Sequence, residues 1–117
     1  MIGTRPDICF AVIKMSQHSA NPTQEHLDRA IGMCHYLVGT PDLAITYDGS
    51  NDAGLFAFCD SDWASDPDDR KSHTGMLIQL AAAPICWVSH KQKTVALSST
   101  EAEYMALSDS CRQLMWL

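Results

Sequence analysis

The chain has 117 residues, of which 46% are hydrophobic, and it carries a formal net charge of −6 at pH 7. No apolar run approaches the roughly 20 residues that a membrane-spanning helix needs, so no membrane-spanning segment is predicted. The acidic balance argues against a free-standing nucleic-acid binder, because neutralising phosphates requires clustered lysines and arginines. The length predicts one domain, or one domain and part of a second.

Five cysteines are spread singly along the chain, at positions 9, 34, 59, 86 and 111. An odd number without close pairs favours free thiols. It therefore predicts an intracellular, reducing compartment, without favouring cytoplasm, nucleus or organelle. The first residues also lack the charged and then apolar layout of a secretory signal.

Two helices are predicted in the first part of the chain. Residues 4–17 form the first, and Thr4 and Asp7 are spaced like a capping box at its start. Residues 23–38 form the second, which ends at Gly39, because glycine is favoured just past the end of a helix.

Strand-like patterns follow the two helices. Residues 43–47 are a short candidate strand, and the apolar run 55–59 suits a strand that is covered on both faces. Residues 72–80 and 85–89 are two further predicted strands. A helix is predicted from Ser98 to the end of the chain.

The predicted fold class is α+β (mixed). Residues 1–41 form a helical segment, and residues 42–117 form a three-stranded antiparallel meander followed by a helix. The last helix still carries an apolar pattern at Leu117 and lacks a stop signal, so we expect the sequence to be cut from a longer chain.

The start of the last helix contains two glutamates with different predicted roles. Ser98 and Glu101 are spaced as a capping box, which gives Glu101 a structural task. Glu103 lies about 200° further around the helix. It shares a line with Leu107 and Cys111, so it is predicted to face inward. A buried carboxylate without a partner is unfavourable, so Glu103 is either a rim residue or held against a cation.

Asp60 follows the apolar strand and is the candidate partner of Glu103. If the last helix crosses the sheet, the two carboxylates come close together, and such oxygen ligands suit Mg²⁺. A pair of bound ions could stabilise the attacking and leaving oxygens of a phosphodiester displacement. The alternative is that Asp60 only ends a strand and Glu103 is a rim residue.

Other site types fit the sequence less well. The aspartate-rich loop at residues 60–71 fails the calcium-loop register, because Ala64, Ser65 and Lys71 stand where ligands and a glycine are required. No spacing typical of a zinc site occurs. The serines before the last helix lack a nucleophile elbow, and helix capping explains them.

Four basic residues are candidates for contacts with a nucleic-acid backbone, namely Arg70, Lys71, Lys91 and Lys93. Ordinary solvated loops explain them equally well.

Several ordered motifs resemble the Pol polyprotein of copia-type retrotransposons. The first group resembles the segment after the polymerase core of the reverse transcriptase, and comprises residues 4–8 (TRPDI), 21–23 (NPT) and 35–40 (HYLVGT). The second group resembles the opening of the ribonuclease H domain, and comprises residues 59–66 (CDSDWASD), 70–75 (RKSHTG), 85–93 (ICWVSHKQK) and 95–104 (VALSSTEAEY). The order of the motifs is the same as in the family.

The resemblance implies an activity and a site. By it, Asp60 matches the first metal-binding aspartate and Glu103 the glutamate on the first helix of the ribonuclease H fold. The implied chemistry is Mg²⁺-dependent hydrolysis of the RNA strand of RNA–DNA hybrids. Met76 departs from the family, which usually carries an aromatic residue there, and this affects packing more than chemistry.

The resemblance also implies missing parts. The family's further acidic ligands would follow Leu117, so we expect an incomplete site and an inactive isolated chain. The implied partners are an RNA–DNA hybrid, the polymerase core and the second half of the ribonuclease H domain. The alternative is a non-enzymatic relic or a co-opted interaction protein.

Overall fold

The computed structural model describes residues 3–117. A 3₁₀ turn at Pro6–Ile8 comes first in the chain. Two helices follow it, α1 at Cys9–Ser16 and α2 at Gln24–Gly39. Next come three strands, β1 at Leu55–Asp62, β2 at His73–Leu80 and β3 at Ala83–Lys91. The last element is helix α3 at Ser99–Trp116. This mixture of helices with one antiparallel sheet confirms the predicted α+β class.

The chain divides into two compact units between Ile45 and Thr46. The first unit contains the 3₁₀ turn, α1 and α2, and the second contains the sheet and α3. The functional assignment of the two predicted domains, residues 1–41 and 42–117, stays a prediction.

The first unit begins differently from the prediction. The 3₁₀ turn precedes α1, and Arg5, at its N-cap, makes no side-chain cap. The predicted capping pair of Thr4 and Asp7 is wrong, because the Asp7 carboxylate accepts hydrogen bonds from the Arg5 guanidinium, with Nη2 at 2.9 Å.

A four-residue cluster, the Arg5 clasp, joins this start to the end of α2. Arg5 also donates to the Thr40 carbonyl at 3.2 Å and to its hydroxyl at 2.8 Å. The guanidinium lies 5.6 Å from the centroid of the Tyr36 ring, whose hydroxyl donates to Asp7 at 2.9 Å. The hydrogen bond from Arg5 is the largest factor that lowers the pKa of Asp7 to about 2.

The start of α2 carries a capping box in which an imidazole takes the usual glutamate position. The Thr23 N–H donates to His26 Nδ1 at 3.1 Å, and the His26 N–H donates to Thr23 Oγ1 at 3.4 Å. The His18 ring stacks on His26 with centroids 4.0 Å apart. These contacts fix the turn between α1 and α2.

The sheet of the second unit has the order β1-β2-β3, with antiparallel pairing throughout. The predicted strand at residues 43–47 is wrong, because this segment has no ladder partner in the sheet. It is held instead by a side chain, since the Tyr47 hydroxyl donates to the Pro84 carbonyl at 2.7 Å. The apolar strand also continues beyond its predicted end to Asp62.

One face of the sheet is covered by α3, which packs against β1 and β2. The buried residues of α3 are Ala102, Ala106 and Ser110, small side chains that let the helix approach the strands closely. The predicted inward line through Glu103, Leu107 and Cys111 is therefore wrong, because all three are exposed.

Among residues 3–117, no helix is both long and apolar enough to cross a membrane. All five cysteines are free thiols.

Candidate active site

Asp60 lies within β1 and pairs with Gly75 on β2. Its side chain is exposed, and no hydrogen bond or ion pair to any residue in 3–117 occupies its carboxylate. A Cβ added at Gly75 would meet nothing within 4 Å, so there is open space beside the strand at this point. A small ligand therefore has room next to Asp60.

Glu103 lies on α3 and is also exposed. As predicted, Glu101 takes part in capping the start of the helix and Glu103 does not. The Glu101 N–H donates to Ser98 Oγ at 3.1 Å, and the Glu101 carboxylate accepts from the Leu97 N–H at 2.7 Å, one residue before the expected partner. Within the described chain, the Glu103 carboxylate has no such partner.

Gln92, which the sequence reasoning missed, joins the elements that carry the two acids. It follows β3 directly and is 3% exposed. Its Nε2 lies 3.1 Å from Ser61 Oγ, 3.1 Å from Thr74 Oγ1 and 3.0 Å from the Ala102 carbonyl. One side chain thus ties β1 and β2 to the first turns of α3.

The position of Ser61 shows on which face of the sheet the Asp60 side chain lies. Ser61 faces α3 through its contact with Gln92. Because successive side chains on a strand point to opposite faces, Asp60 leaves β1 on the other face. α3, which carries Glu103, therefore covers the face of the sheet opposite to the Asp60 side chain. The convergence of the two acids on one cation stays a prediction.

Asp60 and Glu103 supply few ligands for a metal ion. Carboxylate oxygens suit Mg²⁺, which usually keeps several waters and takes one or two carboxylates together with substrate phosphates. Among the described residues, no group of three or more His, Cys, Asp or Glu side chains is arranged to hold a metal ion. The donor chemistry of Asp60 and Glu103 fits Mg²⁺, and further ligands would have to come from outside this pair.

Two of the four basic candidates form ion pairs with aspartates of the aspartate-rich loop. Lys91 Nζ lies 2.6 Å from Asp66 and 3.3 Å from Asp69, and Lys71 lies 3.5 Å from Asp69. The hydrogen bond with Asp66 is the main cause that raises the pKa of Lys91. Lys91 therefore holds the loop to the end of β3, and the Lys71 pair lies within the loop itself.

The other two basic candidates are unpaired. The side chains of Arg70 and Lys93 make no hydrogen bond or ion pair with residues 3–117. Lys93 lines a groove between β3 and α3, where His90 Nε2 lies 3.0 Å from Asp109 and Arg112 also pairs with Asp109. Of the four, these two are the ones available to a phosphate backbone.

The aspartate-rich loop is closed on itself. Asp66 is 3% exposed, and its Oδ1 accepts from the N–H groups of Asp68 and Asp69 at 3.0 and 3.4 Å. Its other oxygen is paired with Lys91. These contacts give Asp66 a structural role, since they close the loop around a buried carboxylate.

The chain is similar to much longer retroelement proteins. It is 43% identical over 114 residues to "Retrovirus-related Pol polyprotein from transposon RE1" of Arabidopsis thaliana, covering 97% of this chain and 8% of that protein. It is 42% identical over 117 residues to the corresponding polyprotein from transposon TNT 1-94 of Nicotiana tabacum, covering the whole chain and 9% of that protein. The chain thus spans less than a tenth of these relatives.

A shorter relative matches along the whole chain. "Secreted RxLR effector protein 161" of Plasmopara viticola is 39% identical over 117 residues, and the chain covers 82% of its length. No family model matches the chain, and no solved structure matches it significantly.

The motif resemblance is confirmed at the level of retrovirus-related Pol polyproteins. The assignment of segments to reverse transcriptase and ribonuclease H stays a prediction. Over 97% or more of its length, the chain is therefore a homologue of segments of the retrovirus-related Pol polyproteins of transposons.

Proposed function

We propose that this chain is the part of a retroelement Pol polyprotein that links a reverse transcriptase to the first half of a ribonuclease H domain. Its proposed activity, within the longer protein, is Mg²⁺-dependent hydrolysis of the RNA strand of RNA–DNA hybrids. Asp60 and Glu103 are the proposed metal ligands. The isolated chain is expected to bind the ion and to lack hydrolytic activity.

One observation carries this proposal. Asp60 and Glu103 are unpaired, exposed carboxylates on β1 and α3, and these two elements pack against each other. In contrast, Glu101 and Asp66 are each committed to backbone N–H groups. The acids that the motifs single out are therefore free to bind a ligand.

The proposed chemistry follows from the ligand type. A bound Mg²⁺ would polarise a phosphoryl oxygen and lower the pKa of a coordinated water. This chain's contribution would be to hold the ion at Asp60, beside the open space over Gly75 on the neighbouring strand. Arg70 and Lys93 are proposed to contact the nucleic-acid backbone, because their charges are not neutralised within the described chain.

Manganese binding tests the proposal with the chain as it is. Titrating Mn²⁺ and following the free ion by electron paramagnetic resonance would give the affinity of the wild type, Asp60→Asn and Glu103→Gln. Removing either carboxylate should weaken binding by about tenfold or more, because two ligands act together on one ion. The control Asp52→Asn removes the same charge from an exposed loop and should leave binding unchanged.

Two results would contradict the metal assignment. Equal affinity in the wild type and Asp60→Asn would show that Mn²⁺ binds elsewhere. An equal loss in Asp52→Asn would show that overall charge, rather than a defined pair, attracts the ion.

A second candidate function is a non-enzymatic, co-opted interaction role. The observation that favours it is the match to a protein of comparable length, named a secreted effector, of which this chain covers 82%. On this alternative the chain binds no divalent ion at Asp60 and Glu103. The same titration therefore separates the two candidates.

A further inference from the structure

The groove between β3 and α3 is separate from the proposed metal ligands, neither of which lines it. Its volume is about 470 Å³, within the range of clefts that hold small ligands. Polar side chains line it from both sides, namely His90 and Lys93 at the end of β3 and just after it, and Ser108, Asp109 and Arg112 on α3.

The groove presents hydrogen-bond donors rather than free acceptors. Asp109 is the acidic residue among its lining side chains, and each of its oxygens already has a donor. Oδ1 is paired with Arg112, and Oδ2 lies 3.0 Å from His90 Nε2. Because an ionised carboxylate can only accept, His90 donates through Nε2. A cation would have to displace these donors, whereas an anion would not.

The charge of the groove is opposite in sign to that of the chain. Lys93 and Arg112 carry two positive charges against the single negative charge of Asp109, with His90 counted as neutral. The whole chain has a formal net charge of −6. The groove is therefore a local positive site on an acidic protein, and such a site favours an anionic ligand.

Two donors in the groove are free to contact a ligand. The Lys93 ammonium makes no hydrogen bond or ion pair with residues 3–117. The guanidinium of Arg112 has five N–H groups, and its contact with Asp109 runs through Nη2, so N–H groups on its other nitrogens stay available. Arginine binds phosphate through its planar fork of donors and lysine binds it as a point charge.

We propose that this groove binds a phosphate group, with Lys93 and Arg112 as its two contacts. The inference rests in part on the proposed function, which already assigns Lys93 a contact with a nucleic-acid backbone. It adds Arg112 as a second contact and gives both a defined place in the fold. It does not depend on a metal ion at Asp60 and Glu103.

The phosphate can come from a nucleic-acid backbone or from a free small molecule, and two probes separate these sources. One is a short RNA–DNA hybrid, and the other is inorganic pyrophosphate. Amide nuclear magnetic resonance of the whole chain would locate each probe, and the amides of Lys93 and Arg112 should shift first. Fluorescence anisotropy of a labelled hybrid would give its affinity at several salt concentrations.

Lys93→Gln and Arg112→Gln remove the two contacts one at a time, and both side chains are exposed, so the fold should be kept. Each should weaken hybrid binding by roughly five- to tenfold at about 0.1 M salt, and should reduce the steepness of log K against log salt by about 0.9. Arg29→Gln is the matched control, because it removes the same charge from an exposed position on α2 in the other unit. Its affinity should stay within about twofold of the wild type.

The outcomes separate the sources of phosphate and test the site. Shifts of the two amides with the hybrid alone would assign the groove to a backbone phosphate, and shifts with pyrophosphate would show that it accepts a free phosphate; either supports the inference. An equal loss of hybrid affinity in Arg29→Gln would overturn it, because overall charge would then explain binding. Unshifted amides at both residues with both probes would also overturn it. A failed Mn²⁺ titration would leave these results unchanged, so the metal site and the groove fail separately.

Discussion

The two units of this chain are stabilised in different ways. In the first, α2 is 16 residues long and has no buried residue, and the buried hydrophobic side chains are Ile8 and Cys9. In the second, Ile78, Ala102 and Ala106 are completely buried where α3 covers the sheet. The first unit therefore depends on specific polar contacts, and the second on the packing of apolar volume.

This contrast places the candidate site on the better packed unit. Asp60 and Glu103 both belong to the unit with the buried core, and Gln92 is buried between their elements. Ligands that must keep a fixed separation benefit from rigid supporting elements. The comparison predicts that core substitutions act on the second unit and polar substitutions on the first.

The largest expected effect is that of Ile78→Ala. Removing a fully buried branched side chain leaves a cavity and should cost about 2–5 kcal/mol of stability. Hydrogen exchange would show faster exchange of β1, β2 and β3 amides, with α2 amides unchanged. Leu80→Ala is the control, because Leu80 is 48% exposed and its loss should cost little. Equal acceleration in both units would contradict the division.

The next effect is that of Arg5→Ala on the first unit. The substitution removes the hydrogen bonds to Asp7 and Thr40 and the contact with the Tyr36 ring. Amides near the end of α2 should exchange faster, while those of the sheet keep their protection. Arg29→Ala is the matched control, because its pair with Glu25 is exposed and such pairs contribute little.

The same clasp should make the first unit sensitive to acid. The hydrogen bond from Arg5 is the main cause that lowers the pKa of Asp7 from its ordinary 3.8 to about 2 in the folded chain. Because the folded pKa is lowered, the stabilisation is fully present above pH 3.8 and is lost as the pH falls toward 2. Nuclear magnetic resonance of the Asp7 carboxyl carbon should show this low midpoint. In Arg5→Ala the midpoint should rise. An unchanged midpoint would show that the Arg5 clasp does not lower the pKa of Asp7.

A smaller, stabilising effect is expected at the turn between β2 and β3. Ala81 and Ala82 have φ angles of 52° and 61°, in the left-handed region where a Cβ is unfavourable. A two-residue turn with both φ angles positive is a type I′ turn, which favours Asn-Gly. Ala82→Gly should therefore stabilise the second unit by about 1 kcal/mol, measured by urea unfolding. A loss of stability would contradict this account of the turn.

Sequence patterns located most elements, because apolar runs and turn residues are local signals. The helix start at Ser98 and the separation of Glu101 from Glu103 were both predictable from spacing. The buried face of α3 was not, because small alanines rather than the larger Leu107 and Cys111 pack against the sheet.

Gln92 was beyond prediction for another reason. Its partners lie 31, 18 and 10 residues away in the sequence, so nothing near it signals its role. The contacts of the aspartate-rich loop were likewise not predictable from nearby sequence. Its spacing excluded a calcium site, and only the structure shows that Lys91 pairs with Asp66.

The most direct test of the account is to locate a paramagnetic ion on the folded chain. Adding small amounts of Mn²⁺ and recording amide spectra would show which resonances broaden, since broadening falls steeply with distance from the ion. The account predicts that the amides of Asp60 and Glu103 broaden together, at the lowest Mn²⁺ concentrations. Broadening confined to one of them, or centred on the loop of Asp66 and Asp69, would contradict it.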